Sequence, residues 1–197
     1  MSPPGRHGPR RGSSGTLGEY RSAQHEGTPM SLFVAQRVVA AMLCAAACAA
    51  VRADPEFTAV VTRVSDGDTV WVRRDGDRRR PVKLRLQGID APERCQAGGL
   101  AAGQALSVRV LGQRVQVLPR ARDAHGRLVA DLRLVRDGAD IGAWMVGAGH
   151  AWSYRFRDNP GPYAREEREA RASRRGLFRE SNPEPPAQFR RRHGPCG

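Results

Sequence analysis

Lysine is nearly absent: Lys83 is the only one, and arginine supplies every other basic residue of the 33. Coding bias alone can produce such a skew, so the formal net charge of +13 is supporting evidence only. No apolar run is long enough for a membrane span. The longest, Val38 to Val51, falls short of the roughly 20 residues that a spanning helix needs, which argues against a permanent transmembrane anchor. Cysteine and histidine do not recur at zinc-binding spacings, and His125, His150 and His193 stand isolated, as ordinary polar residues do. A length of 197 residues fits one domain with a single core and does not call for a second.

What is present divides the chain. Residues 1–29 are rich in Gly, Ser, Pro and Arg with almost no aliphatic side chains, so they are expected to be disordered or to lie upstream of the true start. From Met30 the layout is that of a secretory signal peptide. Arg37 precedes the apolar run, and Val51-Arg52-Ala53 forms a small-residue cleavage pattern. Export to the periplasm or the medium is therefore expected, with Met30 as the start and cleavage after Ala53. Residues 54–197 keep 27 of the 33 basic and 18 of the 20 acidic residues, an excess of +9. That balance favours a polyanionic partner, because neutralised phosphates release condensed counterions. Removal of the leader also removes Cys44 and Cys48. Cys95 and Cys196 remain, and two readings stay open: a disulfide in an oxidising compartment, or two free thiols with one on a mobile tail.

From Phe57 the apolar residues follow a strand period. Phe57, Ala59 and Val61 alternate with Thr58, Val60 and Thr62, and Val70-Trp71-Val72 continues after Asp66-Gly67-Asp68-Thr69. Arg74-Asp75-Gly76-Asp77 predicts a hairpin turn. In the next strand Val82, Leu84 and Leu86 share one face, which turns Lys83, Arg85 and Gln87 away from the core. Ala101, Ala105, Val108 and Leu111 recur at helical spacing before Gly112. Strands are expected again at Val115–Val117 and Leu128–Leu134. A second helix is predicted after Asp140 as N-cap, through Ile141, Met145 and Ala148, and a third from Tyr163 to Arg175. Glu167 and Arg171 read as a pair on its solvated face, and Trp144 and Trp152 as core. The Pro- and Arg-rich tail, 181–197, is expected to be loosely ordered; its Arg190-Arg191-Arg192 run could touch nucleic acid. The predicted architecture of 54–180 is α+β: a five-stranded OB-fold β-barrel with three packed α-helices.

Chemistry concentrates in residues 66–93. Asp68 and Asp90 can offer carboxylates to a hard cation from neighbouring loop ends, and the carbonyl of Ala91 can add an oxygen because Pro92 biases it towards an extended conformation. So few protein ligands suit weak Ca2+ binding, which is workable outside the cytoplasm at roughly 10⁻⁴ to 10⁻³ M. Glu93 is the candidate general base for an attacking water. Arg85, and Arg127 in the Asp123-to-Arg127 turn, are the candidate guanidiniums for a phosphoryl group that gathers negative charge.

Taken together and in this order, the DGDT run, Arg85, the Asp-Ala-Pro-Glu run (Asp90 to Glu93) and the Gly126-Arg127 pair resemble the staphylococcal nuclease family of thermonuclease-like enzymes, from about Phe57 to Phe178. The resemblance implies a staphylococcal nuclease-like barrel. It also implies calcium at Asp68, Asp90 and the Ala91 carbonyl, Glu93 as general base, and Arg85 and Arg127 on the phosphate. The implied activity is that of a phosphodiesterase or endonuclease acting on DNA and RNA, breaking the bond to the 5′ oxygen. Two positions depart from the family pattern: His125 stands where the founding enzyme has tyrosine, and Ala91 replaces a threonine. A monomer without a stable protein partner is expected. The alternative is a noncatalytic nucleic-acid-binding module on the same barrel. A third reading, a purely structural exported barrel, gives no reason for the acidic residues to cluster.

Overall fold

A computed structural model of the chain describes residues 54–77, 80–194 and 196. The expected N-terminal extension and leader, 1–53, lie outside the described residues. The chain between them and the tail builds β1 (Phe57–Val64), β2 (Thr69–Arg74), β3 (Val82–Leu86), the short β4 (Ile89–Asp90), α1 (Gly99–Val110), β5 (Arg114–Arg122) and β6 (Leu128–Leu134). After these come α2 (Ile141–Gly147), the short β7 (Trp152–Ser153), α3 (Ala164–Ala172), a 3-10 turn (Gly176–Arg179) and α4 (Pro186–His193). Five strands close into a barrel in the order β1-β2-β3-β6-β5, with β3 and β6 parallel and the other neighbours antiparallel. This is the expected five-stranded α+β barrel. Among the described residues it carries four helices rather than three, because the tail folds α4.

The alternation read from the sequence sets the barrel interior. Ala59, Val61, Val70, Val72, Leu84, Leu86, Val115, Val117 and every second residue of β6 from Leu128 to Leu134 are buried in one core. Two of the helices differ from expectation. In α1 the buried stripe is Ala102, Leu106 and Val110, while Val108 and Leu111 are exposed. This helix carries small apolar residues on several faces, so spacing alone does not choose between stripes; packing against the DGDT turn does. There Gly67 lies so close that a Cβ would stand 2.7 Å from the Ala91 Cβ and 2.8 Å from the Ala102 Cβ. In α3, Glu167 is not on a solvated face but 2% exposed. Its carboxylate accepts from the Ser153 backbone N–H at 3.0 Å and pairs with Arg155 and Arg171, each at 2.9 Å. The i,i+4 pair with Arg171 is real, but the same carboxylate fastens α3 to β7 through Ser153 rather than decorating a surface. Helix α3 also ends earlier than predicted, at Ala172, with Arg174 in the left-handed region.

Asp140 is the N-cap of α2 as read, accepting from the Ala143 N–H at 2.9 Å. Trp152 meets Phe178 edge to face with ring centres 5.8 Å apart, in a small second core with Ala170 and Leu177. No described helix is long and apolar enough to cross a membrane.

Candidate active site

Three local devices aim the acidic side chains at one rim of the barrel. The DGDT turn is held between β1 and β2 by a Ser65 N–H to Thr69 carbonyl bond at 2.9 Å, and the Asp68 carbonyl accepts from Leu86 N–H at 2.8 Å. That bond and the pairing of Thr69 with Arg85 place Asp68 beside the outward face of β3. Gly88, in the left-handed conformation at φ 75°, then reverses the chain into β4, which pairs antiparallel with β7 through Asp90 and Trp152. The turn after Pro92 is closed by Gln96, whose backbone N–H donates to the Glu93 carbonyl at 2.8 Å and whose Oε1 accepts from the Glu93 N–H at 3.1 Å.

The side chains form an alternating string of charge. Arg85 donates from Nη1 to Asp68 Oδ2 at 2.7 Å and from Nη2 to Asp90 Oδ1 at 3.3 Å. Asp68 Oδ2 also accepts a 3.4 Å contact from the Ala91 N–H, and its Oδ1 accepts from the Thr69 hydroxyl at 2.9 Å. Beyond Asp90 a further guanidinium continues the string. Arg190, from α4, donates to Asp90 Oδ1 and Oδ2 at 3.3 Å each and to Glu93 Oε1 at 2.7 Å. Asp68 and Asp90 are 5% and 6% exposed, so these acids are held together with little water to screen them.

Electrostatics records that crowding. Burial, then the charge of Asp68, push Asp66 up to about 6. Burial likewise raises Asp90 above the usual carboxylate range, although Arg190 and Arg85 work against it. Burial alone would lower Arg85, but Asp68 and Asp90 outweigh it and hold the guanidinium above its ordinary value.

Arg127 reaches the same place from the start of β6, the strand paired with β3. It lines, with Asp68, Arg85 and Glu93, one cavity of about 840 Å³. Gly126 turns the chain as read, at φ 72°, and Asp123 anchors Arg127 by accepting from its Nε at 2.6 Å and its backbone N–H at 3.0 Å. His125 and Tyr154 also face this cavity. The structure therefore brings together all the residues singled out in the sequence: Asp68, Arg85, Asp90, Ala91, Glu93 and Arg127. Two others were missed. Asp66 stands in the DGDT run, but its burial beside Asp68 is set by the fold and has no sequence signal. Arg190 reads from the sequence only as part of a basic run that could touch nucleic acid, with no local pattern linking it to Glu93 about a hundred residues earlier.

Could these residues hold a metal? Among the described residues no three His, Cys, Asp or Glu side chains form a ready-made metal cluster. The donors at hand are two carboxylates, Asp68 and Asp90, and the backbone oxygen of Ala91, all hard ligands. The two carboxylates already share one cation, the Arg85 guanidinium, and burial penalises the charge on Asp90. A divalent cation relieves that penalty, so the donor set fits a hard ion with much of its coordination left to water and substrate.

A small closed barrel with buried carboxylates and guanidiniums on one rim defines a class of protein that acts on phosphate esters. Comparisons with known proteins narrow the class. The model of the "Staphylococcal nuclease homologue" family matches residues 83–180. The chain is 36% identical over 132 residues to an uncharacterized endonuclease of Escherichia coli O157:H7, covering 67% of this chain and 84% of the relative. It is 37% identical over 145 residues to a micrococcal nuclease of Shigella flexneri, covering 69% and 82%. The chain belongs to the staphylococcal nuclease family and is a nuclease, a hydrolase of the phosphodiester backbone.

Proposed function

We propose that the protein is an exported, calcium-dependent nuclease that cleaves both DNA and RNA. The observation that carries this reading is the string Asp68–Arg85–Asp90 with Glu93 beside it and Arg127 lining the same cavity. Asp68, Asp90 and the Ala91 carbonyl would hold the cation, which when bound polarises a phosphoryl oxygen and lowers the cost of its growing charge. Glu93 takes a proton from a water whose oxygen attacks phosphorus. The bond from phosphorus to the 5′ oxygen breaks as the new bond forms. The departing oxygen is protonated by solvent, so the products are a 3′-phosphate and a 5′-hydroxyl. Arg85 and Arg127 donate to the non-bridging oxygens, where charge is greatest in the transition state. Asp123 keeps Arg127 aimed at the cavity. None of these roles requires a base contact, which is consistent with action on both nucleic acids.

Export is supported by the apolar run Val38–Val51 and by the Cys95–Cys196 disulfide, with Cα atoms 5.8 Å apart, since such bonds persist in oxidising compartments. The test is cleavage of single-stranded DNA and of RNA by the purified exported protein across metals. Activity with calcium that disappears on chelation is expected. Binding without cleavage under every metal would favour a noncatalytic module instead.

A further inference from the structure

The tail is not the loose basic end that its composition predicts. Both ends of α4 are fastened to the one turn that carries Glu93. Ahead of the helix, the Glu184 carbonyl accepts from Gln96 Nε2 at 2.7 Å, and Pro183 and Pro186 are buried. Behind it, Cys196 is bonded to Cys95. Gln96 is the same side chain that receives the Glu93 N–H. The helix between these ties points one arginine inward. Arg190 lines the cavity with Asp68, Arg85 and Arg127, whereas Arg191 and Arg192 are exposed.

We propose that Arg190 is a third phosphate-binding guanidinium of this site, delivered by the disulfide-tethered C-terminal helix. The inference rests on the nuclease reading above. Charge explains the need for it. Asp68, Asp90 and Glu93 against Arg85 leave two negative charges uncompensated, and more when Asp66 is ionised; a divalent cation cancels those two without making the site attractive to an anion. Arg127 supplies donors but little net charge, because Asp123 pairs with it. A further cation is required to draw a phosphodiester in, and Arg190 is the one whose guanidinium already lies against Asp90 and Glu93. Both Asp90 oxygens accept from Arg190, so a cation bound at Asp90 would compete for them and leave the guanidinium within reach of the same cavity. Its half-exposed position, 37% for the side chain, leaves it room to turn. A planar fork then meets two phosphoryl oxygens at once.

The test compares the disulfide-intact protein with Arg190→Ala and Arg190→Lys, using Arg191→Ala as the control on the exposed side of the same helix. Three quantities are read: kcat and KM on a single-stranded oligonucleotide with calcium, affinity for a phosphorothioate oligonucleotide that resists cleavage, and calcium affinity by calorimetry without nucleic acid. For Arg190→Ala we expect kcat/KM to fall about a hundredfold and phosphorothioate affinity about tenfold. Calcium should bind as tightly as before or tighter, because a competing cation is gone. The lysine variant should recover part of the loss, which a fold defect would not allow. Unchanged or increased kcat/KM in Arg190→Ala, together with tighter calcium, would overturn the proposal and leave Arg190 as an inhibitory counter-ion. If the parent protein cleaves nothing, the nuclease reading fails by itself. The phosphorothioate arm then still decides about Arg190, with equal binding by parent and alanine variant counting against it.

Discussion

At Glu93 and Asp90, one covalent neighbourhood produces two different chemical environments. Asp90 lies in β4 against Arg85 and Arg190, while Glu93, past Pro92, meets Arg190 and lines the cavity. That separation suits one acid to hold a cation and the other to accept a proton. Glu93→Gln should lower kcat by about 10² to 10⁴ while leaving affinity for a cleavage-resistant oligonucleotide within a few-fold, as measured by single-turnover kinetics and binding isotherms. A matching fall in affinity would show that Glu93 organises the site rather than taking the proton. A second residue-scale outcome concerns His150, which packs against Trp144 with ring centres 5.9 Å apart. Burial lowers its pKa below the ordinary 6.5. The unfolded chain therefore takes up this proton before the folded one does. Its contribution is complete above pH 6.5 and declines as pH falls from there towards the folded value, then levels off. Thermal unfolding of His150→Gln across this window should show a weaker pH dependence than the parent. Equal slopes would mean that burial of this ring has no bearing on acid stability.

Elements fix what single residues cannot. The DGDT turn approaches β4 and α1 so closely that only glycine fits at position 67 without movement of the Ala91 or Ala102 Cβ atoms. Both are attached directly to backbone, so neither can swing aside. Gly67→Ala should cost about 1–3 kcal/mol of stability, read from denaturant midpoints, and should weaken calcium binding because Asp68 moves relative to Ala91. Loss of stability with unchanged calcium affinity would separate this contact from the site. The same scale explains why α1 and α3 were read wrongly in part. An alanine-rich helix offers several apolar stripes of similar quality, and the face that is buried depends on which turn packs beneath it. Glu167 looked solvated because its i,i+4 arginine is a common surface pattern. Its burial depends on Ser153 in β7, whose N–H donates to it and carries no sequence signature.

For the whole molecule, the tail closes a circuit. The Cys95–Cys196 bond joins residues 101 positions apart, so everything from α1 to the tail lies within one covalent loop, while β1 to β4 lie outside it. Constraint of the unfolded chain by such a bond contributes about 2–4 kcal/mol. Replacing both cysteines by serine should lower the urea midpoint accordingly, and reductant should move the parent protein to the same value. A midpoint indifferent to reductant would show that the non-covalent ties through Gln96 and Arg190 already hold the tail. The net excess of +9 over residues 54–197 acts at this scale too, as a long-range attraction for polyanions rather than as part of the chemistry.

By itself the sequence determined the barrel, because strand alternation at Ala59–Val61, Val82–Leu86 and Leu128–Leu134 leaves one face to bury and so sets the register. It also determined which residues would meet at the rim. Asp68, Arg85, Asp90 and Glu93 lie within 26 positions on adjoining strand ends, and short connections leave those ends few alternatives. Tertiary structure alone decided which helix faces are buried, that Asp66 would be pressed against Asp68, and that α4 would return to the site. Contacts between Arg190 and Glu93, or between Cys196 and Cys95, join parts of the chain about a hundred residues apart. They arise from the folded surface on which the tail lands, and no local period or spacing encodes that surface.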